Sequence, residues 1–200
     1  MAAFTGDGME GKVKVKKGLR ILRYRLAEQG IWTTVLWALD HIVRRITGAP
    51  IEKVSRVSEY LHVGGQYKKR GWKLLKKRGI GSVVNLRIEY DDREHGIAPE
   101  RYLHLPTVDD TPPTFEHLEE GADFIQECID QGVGVYIHCK SGIGRAPSMA
   151  AAYLIYNGMG YEEAVDALVS KRPFIRMVKS QKENLKAFER YLAKKAGSRN

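Results

Sequence analysis

Val133-Gly134-Val135-Tyr136-Ile137-His138-Cys139-Lys140-Ser141-Gly142-Ile143-Gly144-Arg145-Ala146-Pro147 is the stretch that decides the fold. The apolar run from Val133 to Ile137 predicts a buried strand. A glycine-containing loop follows, and an alanine-rich helical stretch begins at Pro147. A cysteine opens the loop and an arginine closes it six positions later. A strand, loop and helix in that order form an anion cradle, here with a sulfur nucleophile at its base.

The chemistry follows from the residue types. The amides of Lys140, Ser141, Gly142, Ile143, Gly144 and Arg145 can converge as a nest for phosphate oxygens. Gly142 and Gly144 permit the backbone angles and close approach that a nest requires. Arg145 offers a planar fork for two oxygens, which lysine would not do equivalently. A helix N-terminus and converging amides favour the anionic form of Cys139. Its sulfur is placed to attack a held phosphoryl group, giving a phosphocysteine that water then cleaves. No metal or other cofactor is expected, because the arginine and the amides carry the charge stabilisation.

That reaction needs a proton donor for the leaving alkoxide and a base for the water. Pro106-Thr107-Val108-Asp109-Asp110-Thr111-Pro112-Pro113 follows an expected strand and offers two carboxylates. Asp109 is the expected acid and Asp110 the alternative. Thr114 suits the cap of the next helix. His138 is expected to hydrogen-bond the loop rather than to transfer protons.

Working outward, short strands are expected at Val54–Val57 and Tyr60–Val63, with a turn at Gly64-Gly65. A short basic helix at Trp72–Lys77 precedes strands at Ser82–Leu86 and Tyr102–Leu105. Helices are expected at 115–131, 147–158, 161–171 and 179–195. Strands alternating with helices predict an α/β fold with a central, mostly parallel sheet flanked by helices. Arg87 stands at a strand end beside Glu89, either at the site mouth or in a surface ion pair.

Residues 1–50 read as a basic amphipathic extension, and 51–197 as the catalytic domain, divided at Gly48-Ala49-Pro50. Residues 1–11 are small, polar and expected to be frayed. From Lys12 to Ile46 apolar residues recur at helical spacing, and Gly30 is a candidate break. Lys16, Lys17, Arg20, Arg23 and Arg25 lie before Trp32 and Trp37, and Arg44 and Arg45 after them. The pattern fits either a membrane-surface helix over residues 12–46 or a helix docked on protein.

His138-Cys139-x5-Arg145, with an aspartate loop about thirty residues upstream, resembles the cysteine-dependent protein tyrosine phosphatase superfamily. Its compact dual-specificity branch is the nearest match, over roughly residues 54–192. Tyr60-Leu61-His62-Val63-Gly64-Gly65-Gln66 resembles the entry strand of that branch. Pro106-x-x-Asp109 resembles its general-acid loop, and Arg172-Pro173 its C-terminal segment. By analogy with family members, the resemblance implies that Gln181 orients the hydrolytic water.

Many members carry Ser or Thr directly after the arginine, where the hydroxyl assists the leaving thiolate. This chain has Ala146, so phosphoenzyme hydrolysis is slower or Ser141 or Ser148 substitutes. The Gly-x-Gly-Arg-Ala-Pro sequence resembles plant glucan phosphatases, although no carbohydrate-binding module is visible. Leu105–Asp109 and Cys139-Lys140 resemble the phosphatidylglycerophosphate phosphatases. The resemblance implies a phosphomonoester phosphatase of the dual-specificity type, with phosphoprotein the first expected substrate and an anionic phospholipid the alternative. A phosphate-capturing pseudophosphatase and a membrane-recruited scaffold are the other classes.

Composition agrees with these limits. The 200 residues carry a net charge of +9. Residues 1–50 hold nine Lys/Arg against four Asp/Glu, so the basic excess is concentrated there. An acidic partner such as an anionic membrane is expected, and nucleic acid is not, since no reader motif accompanies the charge. The two cysteines, Cys128 and Cys139, form neither a disulfide framework nor a zinc pattern. Cys128 is expected in the core. Met1–Glu10 lacks an apolar signal core, so a cytoplasmic protein with peripheral membrane contact is expected.

Overall fold

The computed structural model describes residues 7–197, with side chains from residue 26 onward. Four strands form one sheet in the order β1-β4-β2-β3. They are β1 (Leu61–Gly65), β2 (Ile80–Arg87), β3 (Arg101–Thr107) and β4 (Gly134–Cys139). All three pairings are parallel. The helices are α1 (Asp7–Thr47), α2 (Lys69–Lys77), α3 (Phe115–Asp130), α4 (Arg145–Tyr156), α5 (Tyr161–Lys171) and α6 (Lys179–Gly197).

Side chains alternate across the sheet, as the period of two requires. Leu61, Val63, Val84, Leu86, Val135 and Ile137 face a core completed by residues of α3 to α6. Val83, Tyr102 and Tyr136 face the other side and pack with Tyr67 and Leu75. A strand buried on both faces reads as a continuous apolar run, which is why β4 was visible in the sequence.

Two expected elements differ. Residues Val54–Val57 do not form a strand: Glu52–Val54 is a 3-10 turn, and only Arg56 bridges to His62. Val54 is apolar because it is buried, not because it pairs. Gly64-Gly65 is not a turn but the end of β1. A Cβ at Gly64 would lie 2.2 Å from the Tyr136 hydroxyl, and one at Gly65 would lie 2.6 Å from the Arg44 guanidinium. Crowding, not chain reversal, demands those glycines.

The chain divides into two compact units between Leu39 and Asp40. In the first, α1 has non-helical angles at Gly30 and exposes Ile31, Trp32, Val35 and Leu39. Helix begins at Asp7, earlier than the polar start implied. Residues 1–6, and the side chains of Lys16, Lys17, Arg20, Arg23 and Arg25, lie outside the described residues. The second unit starts before the expected boundary at 50 because Asp40 and Arg44 are buried in it and bond to its loops. Among the described residues, no helix is long and apolar enough to cross a membrane.

Candidate active site

Because all strands run parallel, their C-terminal ends gather at one edge, where such sheets place their sites. Cys139 is the last residue of β4, and α4 begins at Arg145. Four of the intervening carbonyls have identified donors. Lys140 O accepts from Gln66 N at 3.2 Å and from Arg44 Nη1 at 3.3 Å. Gly142 O accepts from Arg172 Nε at 2.7 Å, and Ile143 O from Arg176 N at 2.7 Å. Gly144 O accepts from Ser148 N at 2.9 Å.

A planar trans peptide points its N–H opposite to its C=O. Carbonyls turned outward at Lys140, Gly142 and Ile143 therefore turn the N–H groups of Ser141, Ile143 and Gly144 inward. Gly142 N–H lies 3.3 Å from Cys139 Sγ. Gly142 has φ +70°, and a Cβ there would meet Gly64 C at 2.2 Å, so no other residue fits. Lys140 is exposed at the rim, and Ser141 is half-buried.

Arg145 is 1% exposed and sits among acceptors. Its Nη1 and Nη2 meet the Glu89 carboxylate at 2.9 and 3.0 Å, and Nη1 also donates to Thr107 O at 2.8 Å. Nη2 pairs with Asp109 Oδ1 at 2.9 Å. Arg145 Nε is buried without a partner, as a donor reserved for an oxyanion would be. Hydrogen bonds from Arg145 hold the Glu89 carboxyl at about 2, so it stays anionic at physiological pH.

The acid loop brings Asp109, not Asp110, to the arginine. Asp110 is exposed and adopts φ 59°, a left-handed angle that aspartate tolerates better than most residues. Thr111 N–H and its hydroxyl both return to Val108 O, closing the turn. Thr114 caps α3 by accepting from His117 N.

Gln181 is buried with both ends of its amide engaged. Oε1 accepts from Val178 N at 3.1 Å, and Nε2 donates to Thr111 O at 3.0 Å. It ties the acid loop to the start of α6 and lies beside Gly144, with a second Nε2 proton still to donate. Ser148 donates its one hydroxyl proton to Gly144 O, so it does not supply a hydrogen bond to the sulfur in place of Ala146. Cys128 lies in the core.

His138 Nε2 lies 2.8 Å from Asp92 Oδ2, and both side chains are fully buried. Gln66 Nε2 donates to the other Asp92 oxygen at 2.8 Å. Arg87 Nη1 donates to Gln66 Oε1 at 2.8 Å, and Arg87 Nε to Glu89 Oε1 at 3.0 Å. One chain of hydrogen bonds thus runs from His138 to Arg145 through Asp92, Gln66, Arg87 and Glu89. Burial raises the Asp92 pKa, but the His138 and Gln66 bonds outweigh it, leaving it below the ordinary value. Sequence reasoning passed over Asp92, and it named Glu89 only as the neighbour of Arg87 and Gln66 only as part of the entry strand. Their signal was position: Gln66 follows β1, and both acids follow β2, at the edge where Cys139 sits. Among the described residues, no group of three His, Cys, Asp or Glu side chains could hold a metal ion.

Known proteins resemble this chain in sequence and fold. A family model described as "Polymorphic toxin system, DSP-PTPase phosphatase" matches residues 61–159. The phosphatidylglycerophosphatase and protein-tyrosine phosphatase 1 of Rattus norvegicus is 34% identical over 133 residues, covering 62% of this chain and 69% of that protein. The chain belongs to the dual-specificity branch of the cysteine-dependent protein tyrosine phosphatases. Within this phosphatase family, the phosphatidylglycerophosphate phosphatase PTPMT2 of Arabidopsis thaliana is 28% identical over 148 residues, 68% of this chain and 62% of that one. The crystal structure of PTPMT1 in complex with PI(5)P superposes with a TM-score of 0.64 at 29% identity, covering 70% of this chain and 97% of that one.

Proposed function

We propose that this phosphatase hydrolyses the phosphomonoester of an anionic phospholipid at a membrane surface. The observation that carries the reaction is the carbonyl-out, amide-in loop around Cys139, with Arg145 and Asp109 converging on it. Cys139 sulfur attacks phosphorus and the P–O bond to the alcohol breaks. Asp109 gives its proton to the leaving oxygen. Water, deprotonated by Asp109, then attacks phosphorus, and the thiolate departs with release of inorganic phosphate.

Two observations favour lipid. Lys140 adds a cation at the rim. On and just before α2, Lys68, Lys69, Arg70, Lys73, Lys76 and Lys77 are exposed, and no acidic residue occurs between Glu59 and Glu89. Exposed Ile42 and Ile46 accompany Arg45, whose carbonyl accepts from Lys68 Nζ. Cations mixed with exposed aliphatic groups suit an anionic bilayer. The names of the rat and Arabidopsis relatives point the same way. Phosphoprotein, the first expectation from the motif, is the second reading and is favoured by the protein-tyrosine phosphatase part of the rat relative's name.

The test compares kcat/KM on vesicles of phosphatidylglycerophosphate, on phosphoinositide vesicles and on a phosphotyrosyl peptide. Vesicle substrates are expected to win by more than tenfold. A faster peptide would overturn the lipid reading. Normal turnover by Cys139→Ser would overturn the reaction itself, and a burst followed by stalled turnover would favour a pseudophosphatase. The triple variant Lys69→Glu, Lys73→Glu, Lys77→Glu should lose vesicle activity and keep hydrolysis of p-nitrophenyl phosphate.

A further inference from the structure

The phosphate loop is gripped from behind by the last two turns of α1. Arg44 is buried, and its Nη1 donates to Gln66 O at 3.0 Å and to Lys140 O at 3.3 Å. Its Nη2 meets His41 Nδ1 at 3.0 Å. One turn earlier, Asp40 is 2% exposed. Its Oδ1 accepts from Ile51 N at 2.9 Å, and its Oδ2 lies 3.2 Å from Arg172 Nη2. Arg172 is 1% exposed and donates from Nε to Gly142 O and from Nη1 to Val54 O. Two of the outward carbonyls of the loop, 96 and 30 residues away in sequence from their side-chain donors, are therefore held by guanidiniums.

We propose that Asp40 and Arg44 are positioning residues for catalysis, setting the peptide planes at Lys140 and Gly142 that aim the Ser141 and Ile143 N–H groups at substrate. The geometry leaves little choice. If Gly142 C=O loses Arg172, its peptide is free to rotate, and Ile143 N–H leaves the cradle with it. Asp40 holds Arg172 in that role, since the fork is fixed between Asp40, Val54 O and Gly142 O. A charged donor on a carbonyl also polarises that peptide and strengthens its N–H as a donor. Two guanidiniums against one carboxylate further leave net positive charge behind the loop. Helix α1, which the sequence set apart as an extension, thereby ends inside the catalytic machinery.

The test uses the full chain and reads orthovanadate affinity by calorimetry beside kcat and KM for p-nitrophenyl phosphate, all well below the melting temperature of each variant. Asp40→Asn keeps an acceptor for Ile51 N–H but removes the charge that holds Arg172. It should weaken vanadate about tenfold and lower kcat/KM by ten- to a hundredfold. Asp40→Glu should recover part of that loss. Arg44→Lys keeps the charge and loses the fork, so vanadate should weaken several-fold. Because Asp40 acts through Arg172, Asp40→Asn should add nothing to Arg172→Gln. Variants that melt earlier but keep wild-type vanadate affinity and kcat/KM would overturn the proposal, and so would independent, additive losses. Should Asp40→Asn fail to fold, Arg44→Lys with unchanged vanadate affinity would be sufficient to overturn it.

Discussion

Two carboxylates flank the catalytic loop and are built in opposite ways. Asp92 is fully buried and locked to His138 and Gln66. Asp109 has 62% of its side chain exposed and pairs with Nη2 of the buried Arg145 fork. A buried, doubly bonded acid cannot approach a substrate, but it can fix the base of the loop. An exposed acid held by one contact can exchange that contact for a leaving group. The difference supports the proposal that Asp109 transfers the proton and suggests support as the role of Asp92.

The comparison breaks most sharply at Asp109. Asp109→Asn should lower kcat for an alkyl phosphate about a hundredfold or more, the usual weight of general acid catalysis. The loss should be much smaller for p-nitrophenyl phosphate, whose leaving group needs no proton, and the melting temperature should not move. An equal loss on both substrates would remove the proton-donor role. Asp92→Asn should do the reverse in kind. Taking one partner from a buried pair costs about 3 kcal/mol, so denaturant unfolding should show the effect first. A stable variant with a large kcat loss would move Asp92 to the other side of the comparison.

A buried group on the far face of the sheet extends the contrast. Burial, and then Arg56 and Arg78, push the pKa of His62 down to about 4. The unfolded chain takes up that proton near pH 6.5. The contribution of His62 to stability is therefore complete above pH 6.5 and declines as pH falls toward 4, by at most about 3 kcal/mol. His62→Leu should flatten that part of the stability curve, to be measured by urea unfolding from pH 7 to 4. The smallest effect is expected at Ala146→Ser. One hydrogen bond to the leaving thiolate is worth about 1 kcal/mol, or about fivefold in phosphoenzyme hydrolysis, if that step limits turnover. Single-turnover kinetics would read it.

The opposed carboxylates also show why one was legible and the other was not. Asp109 sits in a proline-bounded loop, at a spacing from Cys139 that the sequence displays. Asp92 sits in a polar run, Glu89 to Glu94, whose members look alike until burial separates them. Asp92 is buried, whereas Glu94, two residues on, is exposed. The same holds at the other end of the molecule. Asp40 and Arg44 lie in a helix whose periodicity matched an independent extension, and their partners are far away in the chain.

From sequence alone came the β4–loop–α4 unit, the parallel α/β class, Cys139 and Arg145 as partners, and Asp109 ahead of Asp110. Those features depend on near neighbours, on short apolar runs and their alternation with helical stretches, or on a motif spacing the chain displays. Tertiary structure alone decided what holds the loop in shape: Asp92 under His138, Glu89 on Arg145, and Asp40 and Arg44 behind the outward peptides. These contacts satisfy buried charges and carbonyls over separations of 46, 56, 132 and 96 residues. A hydrogen bond across such distances leaves no periodicity in the chain, because only folding brings its donor and acceptor together.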